Sequence, residues 1–105
     1  MENRQKVLNM IGLATKAGKT VSGEFSTEKA VQTGKAWLVI VSEEASDNTR
    51  KMFTNMCTYY HVPVCFFGKK EELGHSMGKE FRASLAITDE GFAKTLVKQM
   101  NVNGG

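Results

Sequence analysis

Two stretches of this chain combine glycine, cations and an aromatic ring in a pattern suited to phosphate and nucleobase contact. The first is Gly23-Glu24-Phe25-Ser26-Thr27-Glu28-Lys29-Ala30-Val31, followed by Gly34-Lys35-Ala36. A glycine at a helix start lets the backbone come close to a phosphate or a base edge. Lys29 lies one to two turns into that helix and reaches the same face. The second stretch is Gly78-Lys79-Glu80-Phe81-Arg82. Cations beside an aromatic in a loop can grip an RNA backbone and stack on exposed bases. An ordinary helix start and an ordinary loop remain the alternative on these residues alone.

A third stretch imitates a phosphate loop. Ala17-Gly18-Lys19-Thr20 ends as a P-loop ends, but that loop needs glycine, four residues, then Gly-Lys-Ser/Thr. Here five residues separate Gly12 from Gly18. A P-loop also runs from strand into helix, so that amides and helix dipole face the phosphates. This Gly-Lys-Thr follows a helix and enters a strand, which makes it a helix C-cap. What it leaves to function is phosphate contact by Lys16 and Lys19.

Catalytic and metal chemistry find no constellation. His61 and His75 lie 14 positions apart, with no cysteine or acid at a ligand spacing. No GxSxG turn exists to present a nucleophilic serine. Glu71 and Glu72 fall in the first turn of a helix, where acids complement the dipole. Cys57 and Cys65 lack any CxxC spacing and read as small buried hydrophobes in a reducing compartment. No metal, cofactor or enzymatic activity is expected.

The elements that must position these residues are legible from periodicity. Val7, Leu8, Ile11 and Ala14 place a helix over about 3 to 17, stopped by Gly18. Thr20-Val21-Ser22 is a short extended piece. A second helix runs from about 24 to 33 and ends at Gly34. Trp37 to Val41 is a β-branched apolar run, hence a buried central strand. Ser46 caps a third helix, with Asp47 in its first turn. Met52, Met56 and Tyr60 form its apolar stripe, with Phe53 and Cys57 beside it. Pro63 ends it. Val64 to Phe67 is a further apolar strand, Lys70 to Met77 a short helix, and Ala83 to Thr88 another strand. The last helix starts at Asp89-Glu90-Gly91 and shows Phe92, Leu96 and Met100 on one face. Helices alternating with fully apolar strands predict an α/β fold: a three-layer α/β/α sandwich around a central mixed sheet of about four strands.

The bulk properties agree. With 105 residues, 41% hydrophobic and 24% charged, the chain is one globular domain over 1–101, with a flexible tail at 102–105. A net charge of +3 and a pI near 9.0 leave room for a phosphate-binding face. The start, Met1-Glu2-Asn3-Arg4-Gln5, is polar, and no stretch approaches a membrane span. A cytoplasmic protein with no membrane contact, and a monomer, is expected.

The order of several stretches resembles the kink-turn-binding ribosomal protein superfamily. This group includes the archaeal seven-Ae and eukaryotic thirty-e large-subunit proteins, and the chain is most similar to its bacterial YlxQ-type branch. The matching stretches begin with Gly12-Leu13-Ala14, Ala17-Gly18-Lys19 and Val21-Ser22-Gly23-Glu24. They continue with Lys35-Ala36-Trp37-Leu38-Val39, Ser42-Glu43-Glu44-Ala45-Ser46-Asp47-Asn48-Thr49 and Tyr59-Tyr60-His61-Val62-Pro63. The last are Leu73-Gly74-His75-Ser76-Met77-Gly78-Lys79-Glu80 and Ile87-Thr88-Asp89-Glu90-Gly91-Phe92-Ala93. The resemblance spans residues 7 to about 97.

It implies the same α/β/α fold and RNA binding, with rRNA or another structured RNA, and the ribosome, as partners. Family members grip a kink turn, a bend held by tandem sheared G·A pairs. They read guanine edges from the start of the second helix and clasp a protruding nucleotide with the loop before the last strand. Those positions fall here on Gly23, Glu24, Phe25, Ser26 and Lys29, and on Lys79, Glu80, Phe81 and Arg82. Kink-turn readers carry Asn-Glu or Lys-Gln where this chain has Phe25-Ser26. Each base-edge contact is worth about 1–3 kcal/mol of discrimination. The loop is also one residue shorter and holds Arg82 where small or apolar residues are usual. The expectation is retained phosphate grip with altered base readout. Gly23 gives close approach, Ser26 polar contact, and Phe25 or Phe81 a stacking surface. The alternative is a protein–protein adaptor on this fold that has lost kink-turn recognition, with Phe25 as its anchor.

Overall fold

Val7, Ile11 and Ala14 recur every three to four residues, and all three are buried. In the computed structural model, which describes residues 2–100, they form the inner face of helix α1 (Glu2–Lys16). The helix stops at Gly18, where φ is 75°. Lys19 donates its N–H to the Ala14 carbonyl at 2.8 Å and Gly18 to Thr15 at 3.0 Å, the paired bonds of a Schellman end. Gly18-Lys19-Thr20 therefore closes a helix and enters strand β1 (Thr20–Ser22).

The remaining elements are α2 (Glu24–Gln32), β2 (Leu38–Val41), α3 (Asp47–Tyr60), β3 (Val64–Phe66), α4 (Lys70–Ser76), β4 (Ser84–Ile87) and α5 (Glu90–Met100). Ser46 caps α3 by accepting the Thr49 N–H at 3.2 Å. His61 ends α3 with a left-handed backbone, φ 60°, ahead of Pro63.

The strands form one mixed sheet in the order β1-β4-β2-β3. Only β2 and β3 run parallel; β4 is antiparallel to both β1 and β2. Successive residues of the central strands point to opposite faces. Leu38, Ile40, Leu85 and Ile87 meet α1, α4 and α5 on one side. Val39, Val41 and Ala86 meet α2 and α3 on the other, under Val31, Phe53 and Cys57. This is the three-layer α/β/α sandwich that periodicity predicts.

Burial departs from expectation in three places. Trp37, expected to open the buried central strand, precedes β2 and is 48% exposed. The run Val64–Phe66 is only half-buried, because β3 is an edge strand; Cys65 lies in it and is partly covered. In α3 the buried line is Phe53 and Cys57, flanked by partly buried Met52 and Met56, while Tyr60 is exposed. The stripe is rotated by one residue, and Phe53 packs in one core with Ala30, Val31 and Ala86. Residues 102–105, expected as a tail, lie outside the described residues.

Candidate nucleic-acid interface

One end of the sheet gathers the candidate residues. Ser22 faces Leu85, and Val41 faces both Ser84 and Phe66. Strands β1, β2 and β3 therefore finish where β4 begins. The start of α2, the 42–46 turn, the start of α4 and the 77–83 loop all cluster there.

Gly23 opens α2 with φ 91° and ψ 156°, a region open essentially to glycine alone. Its N–H donates to the Ser84 carbonyl at 3.0 Å, tying the helix start to β4. A Cβ here would meet nothing within 4 Å, so the demand for glycine is conformational and the space above it is open. Glu24, Phe25 and Ser26 follow, all exposed, with Phe25 at 73%. The Lys29 Nζ sits 5.7 Å from the centroid of the Phe25 ring, a cation–π distance. Thr27, Ala30 and Val31 face inward and anchor this turn.

The 79–82 loop is held against both α4 and β1. Arg82 donates from its backbone N–H to the Lys70 carbonyl at 3.0 Å. Its Nε donates to the Ser22 hydroxyl at 2.8 Å, and another guanidinium nitrogen donates to the Phe81 carbonyl at 2.7 Å. Arg82 thus staples the loop to the residue before Gly23, and among the described residues three of its five donors stay uncommitted. Lys79, Glu80 and Phe81 are exposed, Phe81 at 60%. Beneath them lies Gly74: a Cβ there would come within 2.5 Å of the Glu80 carbonyl oxygen and 2.7 Å of the Phe81 nitrogen.

Lys16 and Lys19 are placed differently. Lys16 lines a groove of about 820 Å³ between α1 and α4, together with Leu8, Leu13, Met77 and Gly78. That groove borders the 79–82 loop through Gly78. Lys19 is at the other end of β1 from Gly23, where its carbonyl accepts the Thr88 N–H at 2.9 Å. The structure therefore brings together the α2 start and the loop, sets Lys16 to one side and separates Lys19.

Sequence reasoning passed over Lys69 and Lys70. They start α4 beside the loop, and the Lys70 N–H is held by Glu44 Oε1 at 2.9 Å. Glu72 does more than complement a dipole. It accepts the Lys69 N–H at 2.9 Å and pairs with Arg4, whose Nε donates to it at 3.0 Å. The Arg4 guanidinium holds the Glu72 carboxyl below its usual range. Gly74 stands in the sequence as a glycine inside a helix and within a matching stretch, with nothing there to mark its approach to the loop.

The two cysteines suit packing. Burial pushes the Cys57 thiol up to about 11 and raises Cys65 as well, so neither is primed as a nucleophile. Among the described residues no three His, Cys, Asp or Glu side chains come together as metal ligands. No described helix is long and apolar enough to cross a membrane.

Known proteins resemble this chain over nearly its whole length. The profile of the Ribosomal protein L7Ae/L30e/S12e/Gadd45 family matches residues 5–97. The RNA-binding protein YlxQ of Bacillus subtilis (strain 168) is 42% identical over 92 residues, covering 88% of this chain and 92% of that protein. The RNA-binding protein YlxQ of Enterococcus faecium is 41% identical over 92 residues, covering 88% of each. A solved structure of a protein with unknown function from Bacillus halodurans C matches with a TM-score of 0.89 at 35% identity, covering 91% of this chain and 97% of that one. The Giardia lamblia 15.5kD RNA binding protein has the same fold, with a TM-score of 0.82 at 23% identity, covering 97% and 90%.

Proposed function

Because the chain belongs to the ribosomal protein L7Ae/L30e/S12e/Gadd45 family, we propose that it is an RNA-binding protein, not an enzyme, that grips structured RNA with one end of its sheet. The observation that carries this is the Arg82–Ser22 hydrogen bond. It makes the 79–82 loop and the Gly23 helix start a single surface. Gly23, Glu24, Phe25, Ser26 and Lys29 form one half, and Lys79, Phe81 and Arg82 the other. Lys16 extends the second half along the α1–α4 groove, and Lys19 adds a more distant charge. The RNA is a bent, kink-turn-like element of ribosomal or other structured RNA, bound by a monomer in the cytoplasm.

Affinity for a kink-turn hairpin measured from 50 to 300 mM salt tests the reading. A grip through several phosphates weakens linearly in log–log form, with a slope of about −0.7 to −0.9 per phosphate contact. Failure to bind, or a flat response, sinks it.

A second reading has its own observation. Glu24, Glu28 and Glu80 interleave with Lys29, Lys79 and Arg82 around the exposed Phe25 and Phe81. An aromatic pair in mixed charge also suits a protein partner. An adaptor would show no RNA binding at any of these salt concentrations.

A further inference from the structure

We infer that this site selects an unpaired nucleobase by stacking it on the Phe25 ring, with Lys29 taking the adjoining phosphate. The inference rests on the RNA-binding reading and names the class of RNA bound.

Phe25 has no polar atom, so it cannot hydrogen-bond a base edge. What it offers is a ring, and 73% of the residue's surface is open. A base inside a duplex already stacks on both sides and cannot present a face to that ring. A bulged, looped or terminal base can, and aromatic side chains bind such bases with little regard to sequence. The readable feature is then the absence of pairing, not the identity of a pair.

Three neighbours fit this use. Lys29 Nζ stands 5.7 Å from the ring centroid, so a cation lies within one nucleotide's reach of a stacked base. Gly23, two residues earlier, leaves open space where a Cβ would project, which clears the approach of the sugar and phosphate. Ser26, the next residue in the chain, is exposed and offers one short donor or acceptor to the sugar or base. One nucleotide would therefore place its base on Phe25 and its phosphate on Lys29.

The test uses three RNAs of equal length: a fully paired duplex, the same duplex with one bulged 2-aminopurine, and a kink-turn duplex with tandem G·A pairs. The wild-type protein should bind the bulged duplex about tenfold or more tighter than the paired one. It should also quench the 2-aminopurine fluorescence. Phe25→Leu should abolish both the preference and the quenching, so that paired and bulged RNA bind the variant equally. Because residue 25 is exposed, its melting temperature should match wild type. Lys29→Gln should lower the salt slope on the bulged RNA by about one phosphate contact, near 0.9. Equal binding of paired and bulged RNA overturns the inference and leaves RNA binding standing. So does a preference that survives Phe25→Leu, or one for the kink turn alone. Binding to none of the three overturns the RNA reading, and the inference with it.

Discussion

Arg82 Nε donates to the Ser22 hydroxyl at 2.8 Å, joining two residues 60 positions apart. The bond fixes the loop before β4 to the strand end that launches α2. It also leaves guanidinium donors available at the same place. One side chain therefore both assembles the surface and charges it.

Separating these two tasks gives the first prediction. Ser22→Ala removes the bond and keeps the charge; it should cost about 0.5–1.5 kcal/mol in urea unfolding. Arg82→Lys also keeps the charge but cannot reproduce the planar fork. RNA affinity should fall in both. If the bond orders the loop, Ser22→Ala should have little further effect in an Arg82→Lys background. Additive losses would show that the two residues act separately.

Gly74→Ala probes the loop from beneath. The added Cβ would meet backbone atoms of Glu80 and Phe81 at 2.5 to 2.7 Å, and backbone cannot swing aside as a side-chain tip can. Such overpacking costs roughly 1–3 kcal/mol. Amide exchange should rise across the 79–82 loop, and RNA binding should weaken with residues 79 to 82 themselves unaltered. Gly23→Ala should also destabilise, for the unrelated reason of φ 91° at an uncrowded position.

Acid should reveal the Arg4–Glu72 pair. The Glu72 carboxyl titrates below its ordinary value of 4.5, first because of the Arg4 hydrogen bond and next because of the Lys69 N–H. A depressed carboxylate contributes stability that is present above the unfolded pKa and is lost as pH falls through the lower folded one. Arg4→Met should therefore reduce stability at neutral pH and flatten the decline below pH 4.5. An unchanged acid profile in denaturant titrations would count against the pair.

Burial should also silence Cys57. Its thiol is pushed up to about 11, so thiolate is scarce at neutral pH. The folded state keeps a proton that the unfolded chain releases from its ordinary value of 9.0 upward, so stability should fall as pH rises from there. Iodoacetamide should label Cys57 at the rate of global unfolding and faster once urea is added, as read by mass spectrometry.

Much of the architecture is written locally. The spacing of Val7, Ile11 and Ala14, the glycine after each early helix and the β-branched run ending at Val41 act over a few residues, and each fixes its own element. Which strand lies at the edge is not local. Val64–Phe66 reads like Leu38–Val41, and only the order β1-β4-β2-β3 leaves one half-covered and the other buried. The candidate site divides in the same way. Phe25 and Lys29 are a helix pair four apart, visible in the sequence. The Ser22–Arg82 bond and the Gly74–Glu80 approach join distant segments, and nothing near either partner announces the other. Lys19 shows the converse. It is close to Gly23 in sequence, yet the intervening strand carries it to the far end of the sheet.

The two halves of the candidate surface belong to different layers. Helix α2 packs with α3 in one core, and α4, which carries the 79–82 loop on its back, packs with α1 and α5 in the other. A ligand that touches both therefore acts as a clamp across the rim of the sandwich. Opening either layer would release it. Binding energy should accordingly appear as resistance to local opening in both cores at once, and amides deep under α1 and α3, far from any nucleotide, become reporters of an occupied rim.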